Sequence, residues 1–128
     1  MGRKTWESIP NNVKPLKNRL NIVVSTTLSK KSKGENFTAS PSFQHAIKMC
    51  QDKEKIEKLF LIGGSGIYET ALRHDLCDKL YLTEIDKEFS CDVFFPKWDK
   101  SKYKIESKSD FQQENGLNFT YVVYNKCK

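Results

Sequence analysis

Apolar and polar positions change period several times along this chain, and each change marks an element. Trp6 and Ile9 stand three apart with Pro10 directly after, which predicts a short helix over Thr5 to Ile9. Asn11 to Pro15 reads as a loop. Leu20 to Ser25 is β-branched and nearly continuously apolar, as a strand buried on both faces should be. A polar loop over Leu28 to Glu35 and a short strand over Asn36 to Ala39 follow. Ser40 or Ser42 then caps an amphipathic helix that repeats through Phe43, Ala46, Ile47 and Cys50. Leu59 to Ile62 is a second buried strand, Gly63 to Gly66 a tight turn, and Ile67 to Leu72 the start of another helix. Lys79 to Ile85 is a third strand. The tail alternates over Tyr103 to Ser109 and Leu117 to Tyr124 around the turn signal Glu114-Asn115-Gly116.

Strands alternating with helices imply an α/β sheet with right-handed crossovers. The alternating tail adds an antiparallel pair at its edge. In such sheets ligands bind at the carboxyl ends of the strands. Ser25-Thr26-Thr27, Gly63 to Gly66 and Thr83-Glu84 all fall there. Gly2-Arg3-Lys4-Thr5 joins them as a helix front with two fixed cations and a hydroxyl.

The length of 128 residues allows one core, so a single domain over residues 1–128 is expected. No apolar run is long enough to span a bilayer, so no membrane partner is expected. The net charge of +6 comes from scattered lysines, with Lys30-Lys31-Ser32-Lys33 as a loop tip. A solvated surface and a field that attracts polyanionic ligands are both open readings of it. The basic residues are not interleaved with aromatics on one element, which argues against nucleic acid. Cys50, Cys77, Cys91 and Cys127 lack C-x-x-C spacing, and His45 and His74 each stand alone, so no metal site is expected. Unpaired thiols in a lysine-rich chain point to a reducing, cytoplasmic setting, with a mitochondrial one also open.

Three glycines within four residues at 63–66, between strand and helix, allow backbone to approach a pyrophosphate closely. The stretch is neither G-x-G-x-x-G nor a Walker A loop, and an ordinary tight turn fits the spacing as well. Arg19 at a strand entry is either solvated or a bidentate clamp on a carboxylate. Among the carboxylates, Glu84 alone nears the expected cleft, and strand alternation points it opposite to Thr83. The chain has a cofactor grip without an evident proton donor.

The stretches M-G-R-K-T-W-E-S-I-P, P-L-K-N-R-L-N-I-V-V-S, F-L-I-G-G-S-G-I-Y, L-T-E-I and C-D-V-F-F-P, in that order, resemble dihydrofolate reductase of the animal type, over essentially the whole chain. The resemblance implies a three-layer αβα fold, with a mainly parallel sheet and an antiparallel C-terminal hairpin. It implies NADPH-dependent reduction of 7,8-dihydrofolate to tetrahydrofolate by a monomer. It places Gly2, Arg3, Lys4 and Thr5 on the NADPH phosphates, with Arg3 near the 2′-phosphate. Ser25, Thr26 and Thr27 would cover the adenosine 2′-phosphate end. Gly63, Gly64, Ser65, Gly66, Ile67, Tyr68, Glu69 and Thr70 would wrap the pyrophosphate and nicotinamide ribose, with a cis peptide at Gly63-Gly64. Arg19 would clamp the folate glutamate. Ile9, Val13 and Leu16 would line the benzoyl pocket, with Ser8 and Pro10 beside the folate and Ile62 and Tyr68 by the pterin. Thr83 would hydrogen-bond the catalytic carboxylate.

Two departures from the family pattern stand out. Thr26 occupies a position where many relatives place an arginine, so one charge on the 2′-phosphate is lost. The family also begins with a strand, a flexible loop and a helix bearing the catalytic acid. The expectation is that these first strand(s) and one helix, on the order of 50 residues, are missing. The chain then holds no catalytic acid, and by itself it is expected to be poorly folded and inactive. The alternatives are a truncated, non-catalytic nucleotide-binding paralogue and a pyrimidine reductase of riboflavin synthesis with the same architecture. Arg19 in its P-L-K-N-R context argues against the second.

Overall fold

A computed structural model describes residues 1–28, 36–74 and 77–128. The expected polar loop, including the lysine-rich tip, lies almost wholly outside the described residues. Contacts gather into two compact units, residues 1–70 and 71–128, where the sequence suggested one domain.

In the first unit, helix α1 spans Arg3–Ser8 and stops where Ile9 turns extended, its N–H donating to the Trp6 carbonyl just before Pro10. A 3-10 turn covers Asn11–Val13 and a cis Lys14-Pro15 peptide follows. Strand β1, Asn21–Val24, pairs in parallel with β2, Phe37–Ser40, from Asn21↔Phe37 to Val24↔Ser40. Helix α2, Phe43–Gln51, packs on both strands through Phe43, Ala46 and Cys50. Ser42 is its cap: the hydroxyl accepts the His45 N–H at 3.1 Å. Trp6 stacks on Phe37 with ring centroids 4.5 Å apart, which fastens α1 over the strand pair. Helix α3, Ser65–Leu72, begins inside the glycine turn.

The expected buried strand at Leu59–Ile62 is corrected. The segment makes no ladder among the described residues, and Leu59, Phe60 and Ile62 are exposed, Phe60 by 60%. An apolar run becomes a strand only when a neighbouring backbone takes up its N–H and C=O groups. No described strand forms a ladder with it.

In the second unit, β6 (Leu117–Lys126) is the centre. On one side it pairs antiparallel with β3 (Lys79–Ile85), on the other with β4 (Tyr103–Lys108) and β5 (Gln112–Glu114). Asn115 and Gly116, at φ 51° and 73°, form the expected tight turn between β5 and β6. Among the described strands, parallel pairing is thus found between β1 and β2, with a further parallel bridge from Gly2 to Val24, and antiparallel pairing extends past the tail to β3. Leu80 and Val122 are buried. The rest of β3 is largely exposed.

Candidate functional site

The expected cofactor residues of the first unit meet at one place. Met1 and Gly2 run alongside β1 as a strand would. The Met1 nitrogen donates to the Ile22 carbonyl at 3.0 Å, and the Val24 N–H donates to the Met1 carbonyl at 2.8 Å. Gly2 then turns to the other side, its N–H donating to the Gly63 carbonyl at 2.8 Å. Chain start and glycine turn are therefore tied backbone to backbone.

The Gly63-Gly64 peptide is cis, and Gly63 has φ 115°, a conformation that L side chains rarely adopt. A Cβ at Gly63 would stand 3.5 Å from both the Thr5 and the Tyr68 hydroxyl oxygens. The first-turn N–H groups of α3, in Ser65, Gly66 and Ile67, lack intrahelical acceptors, as in any helix. Thr70 returns its hydroxyl to the Gly66 carbonyl at 3.0 Å and braces that turn. Burial raises the Tyr68 phenol above its ordinary pKa, which keeps it a neutral hydroxyl. Glu69 lies on the exposed side of α3.

At the carboxyl end of β1 the Ser25 hydroxyl accepts the Thr27 and Leu28 N–H groups at 3.2 Å each and lies 3.2 Å from the Thr27 hydroxyl. Thr26 is exposed beside them. The Ser25 N–H donates to the Ser40 carbonyl at 2.8 Å. Ser40, 1% exposed, bonds His45 Nδ1 at 2.8 Å through its hydroxyl, which also donates to the Ser42 carbonyl. Sequence reasoning missed this role of Ser40. Its only signal was a serine at the end of a strand that runs beside Ser25.

Arg3 and Lys4 are exposed on α1, and Arg3 pairs with Glu7 at 2.9 Å. Ser8 donates to the Thr5 carbonyl at 2.7 Å, so its hydroxyl is engaged within α1. Lys14 reaches back to the Trp6 carbonyl at 3.1 Å and covers the Trp6 ring, which closes the loop that carries Ile9, Pro10 and Val13. Arg19 is exposed, with Nε donating to the Lys17 carbonyl at 2.8 Å.

Asn21 was also missed. It is 2% exposed, and its amide accepts the Leu16 N–H and donates to the carbonyls of Leu16, Arg19 and Asn36. One polar side chain in an apolar strand therefore sets the loop that presents Arg19. A lone Asn within L-N-I-V-V was the available signal.

A cavity of about 610 Å³ opens between β1 and the 59–62 segment. Leu16, Arg19, Ile62 and Ile67 line it, together with Cys50 of α2. Val13, Ile9, Ser8, Pro10 and Tyr68 do not, so the expected folate residues do not share one wall. Thr83 belongs to the second unit, exposed in β3 opposite Tyr121. Glu84 bonds the Tyr124 hydroxyl at 2.5 Å on the other face of β3, as alternation requires.

The dihydrofolate reductase family profile matches residues 1–126. The chain is 38% identical to a Drosophila melanogaster dihydrofolate reductase over 130 residues, covering 98% of this chain and 71% of that protein. It is 40% identical to the Sus scrofa enzyme over 134 residues, at 98% and 72% coverage. The Schistosoma mansoni dihydrofolate reductase structure superposes with a TM-score of 0.84 at 39% identity, covering 99% of this chain and 73% of that one. No helix among the described residues is long and apolar enough to cross a membrane. With its glycine turn, its order of elements and these relatives agreeing over nearly the whole length, the chain belongs to the dihydrofolate reductase family.

Proposed function

We propose that this chain supplies the NADPH grip and the folate-anchoring arginine for reduction of 7,8-dihydrofolate to 5,6,7,8-tetrahydrofolate. The observation that carries this reading is the Gly63-Gly64 turn, tied to Gly2 and faced by the Thr5 hydroxyl. The donor set suits a pyrophosphate: bare backbone at Gly63 and Gly64, first-turn N–H groups of α3, and the Thr5 hydroxyl. A side chain at Gly63 would fill the space beside the Thr5 and Tyr68 hydroxyls.

NADPH, when bound, supplies the hydride. The residues of this chain bind and orient. Arg3 and Lys4 neutralise phosphate charge; Arg3 gives up an exposed pair with Glu7, which costs no more than about 1 kcal/mol. Ser25, Thr26 and Thr27 cover the 2′-phosphate end by hydroxyls alone, so discrimination against NADH rests on Arg3. Arg19, on the loop that Asn21 holds, clamps the glutamate carboxylate of the substrate.

Proton delivery is a separate matter. Among the described carboxylates of the first unit, Glu7, Asp52, Glu54, Glu57 and Glu69 are all exposed. None is enclosed in the apolar surroundings in which a catalytic acid is usually held. That observation favours a second reading for the 128-residue chain by itself, nucleotide binding without turnover.

Both readings meet one experiment. NADPH is titrated into the chain by nicotinamide fluorescence, and NADPH consumption is then followed with dihydrofolate. Saturable binding with negligible turnover is the expected result. Absence of binding sinks the cofactor grip, whereas turnover sinks the non-catalytic reading.

A further inference from the structure

Met1 and Gly2 form the end of a strand laid between two neighbours. On one side Met1 brackets Val23 of β1: its nitrogen donates to the Ile22 carbonyl, and its carbonyl accepts the Val24 N–H. A parallel bridge between Gly2 and Val24 fixes the direction. On the other side the Gly2 N–H donates to the Gly63 carbonyl. At this level β1 and the stretch ending at Gly63 are therefore two strand spacings apart, roughly 9.5 Å, with one strand width between them.

The cavity of about 610 Å³ continues this line past Met1. Ile22 and Val24 line one side, Leu59 and Leu61 the other, and Phe43 and Ile47 of α2 line it as well. The β1 backbone aims a donor into it. Asn21 and Ser25 turn their N–H groups to the β2 side, where the Asn36 and Ser40 carbonyls accept them. The Ile22 N–H between them points the other way, as the Val24 N–H does toward Met1. A helix, about 10 Å across and with its backbone bonds already made, could neither enter one strand width nor use that donor. Extended backbone can do both.

We propose that this slot is a strand-addition site, which takes an extended apolar peptide from a separate chain, parallel to β1 and in line with Met1. The register follows from the seated end, because a parallel ladder repeats every two residues. The position two before Met1 accepts the Ile22 N–H and donates to the Leu20 carbonyl. The position directly before Met1 donates to the Leu61 carbonyl, as Gly2 does to Gly63. A peptide that ends as an amide two positions before Met1 leaves room for the Met1 nitrogen, and its amide nitrogen supplies the donor to Leu61. The apolar lining suits a nearly continuous run of β-branched residues. Bound there, the peptide extends the β1–β2 pair and gives the 59–62 segment the neighbour that its composition calls for.

The test adds fluorescein-Lys-Lys-Val-Ile-Val-Val-amide to the 128-residue chain and follows anisotropy, with hydrogen exchange read by mass spectrometry to locate the peptide. The expected result is saturable binding of one peptide per chain, with new protection over residues 20–24 and 59–63 and none over β3. The same peptide with N-methyl groups on its last and third-last residues keeps its side chains and loses the donors aimed at β1. Its affinity should fall about tenfold or more, since carbonyls of the slot are left unpaired. Equal affinity of the two peptides overturns the proposal, because apolar contact alone then explains binding. Protection that falls on β3 instead, or no saturable binding, overturns it as well. Sedimentation of the chain tests the rival occupant: a dimer that the peptide does not dissociate puts a second copy in the slot and also overturns the proposal. Every outcome is read on the parent chain, so none depends on a variant folding.

Discussion

Single positions decide how the glycine turn and the arginine loop are held. Gly63 has φ 115°, where any other L residue is strained, although a Cβ there would meet only ordinary contacts. Gly63→Ala should therefore cost about 1–3 kcal/mol through the backbone and weaken NADPH binding in the same fluorescence titration. Gly2→Ala is the matched control. Gly2 has φ −77°, and its Cβ would meet atoms no closer than 3.8 Å, so stability and binding should hardly change. Asn21→Ala strips partners from the Leu16 N–H and C=O in a buried setting, a loss of about 1–3 kcal/mol in urea denaturation. The same variant frees the loop that presents Arg19. If that loop clamps the substrate, dihydrofolate affinity in binding assays should fall more than NADPH affinity.

At the scale of elements, β3 and β6 are joined by side chains as well as by the ladder. Tyr124 donates to Glu84, and that bond, with burial second, pushes the Tyr124 phenol up to about 12. Burial chiefly, with the Cys77 contact second, does the same for Tyr103, also to about 12. Both groups are raised above the ordinary phenol value of 10. Their contribution to stability is complete below pH 10 and is lost as pH climbs from 10 to 12. Denaturation midpoints measured across that window should fall, and Tyr124→Phe should flatten part of the decline. Ultraviolet titration should show Tyr103, Tyr124 and the partly buried Tyr68 ionising later than an ordinary phenol. The lesson of Leu59–Ile62 belongs to this scale as well. Its composition is strand-like, but nothing in a single segment tells whether a neighbour will pair with it.

For the molecule as a whole, apolar surface left in water sets the behaviour. Leu59, Phe60 and Ile62 in the first unit, and Val93, Phe94 and Phe111 in the second, are exposed large hydrophobics. Patches of this kind bind hydrophobic dyes and lower the cooperativity of unfolding. The 128-residue chain should bind anilinonaphthalene sulfonate and melt broadly. NADPH at a hundred times its dissociation constant should add about 2.7 kcal/mol and sharpen the transition. A narrow, dye-silent melt in the absence of NADPH would contradict this.

Much of the result was legible in the residues alone, because local physics settles it. Pro10 stops α1, Ser42 caps α2, Asn115-Gly116 turns β5 into β6, and three glycines mark the place where backbone must come close. Five ordered motifs were enough to name the family. Tertiary structure decided what depends on partners distant in sequence. It left Leu59–Ile62 without a ladder, put β3 antiparallel to β6, and brought only Leu16, Arg19 and Ile62 of the expected folate residues to the cavity lining. It gave Asn21 and Ser40 their roles, since a buried polar side chain is defined by the groups that surround it. It also set Lys79 opposite Asn125, far apart in the chain, because register is a property of two strands together and is written in neither one.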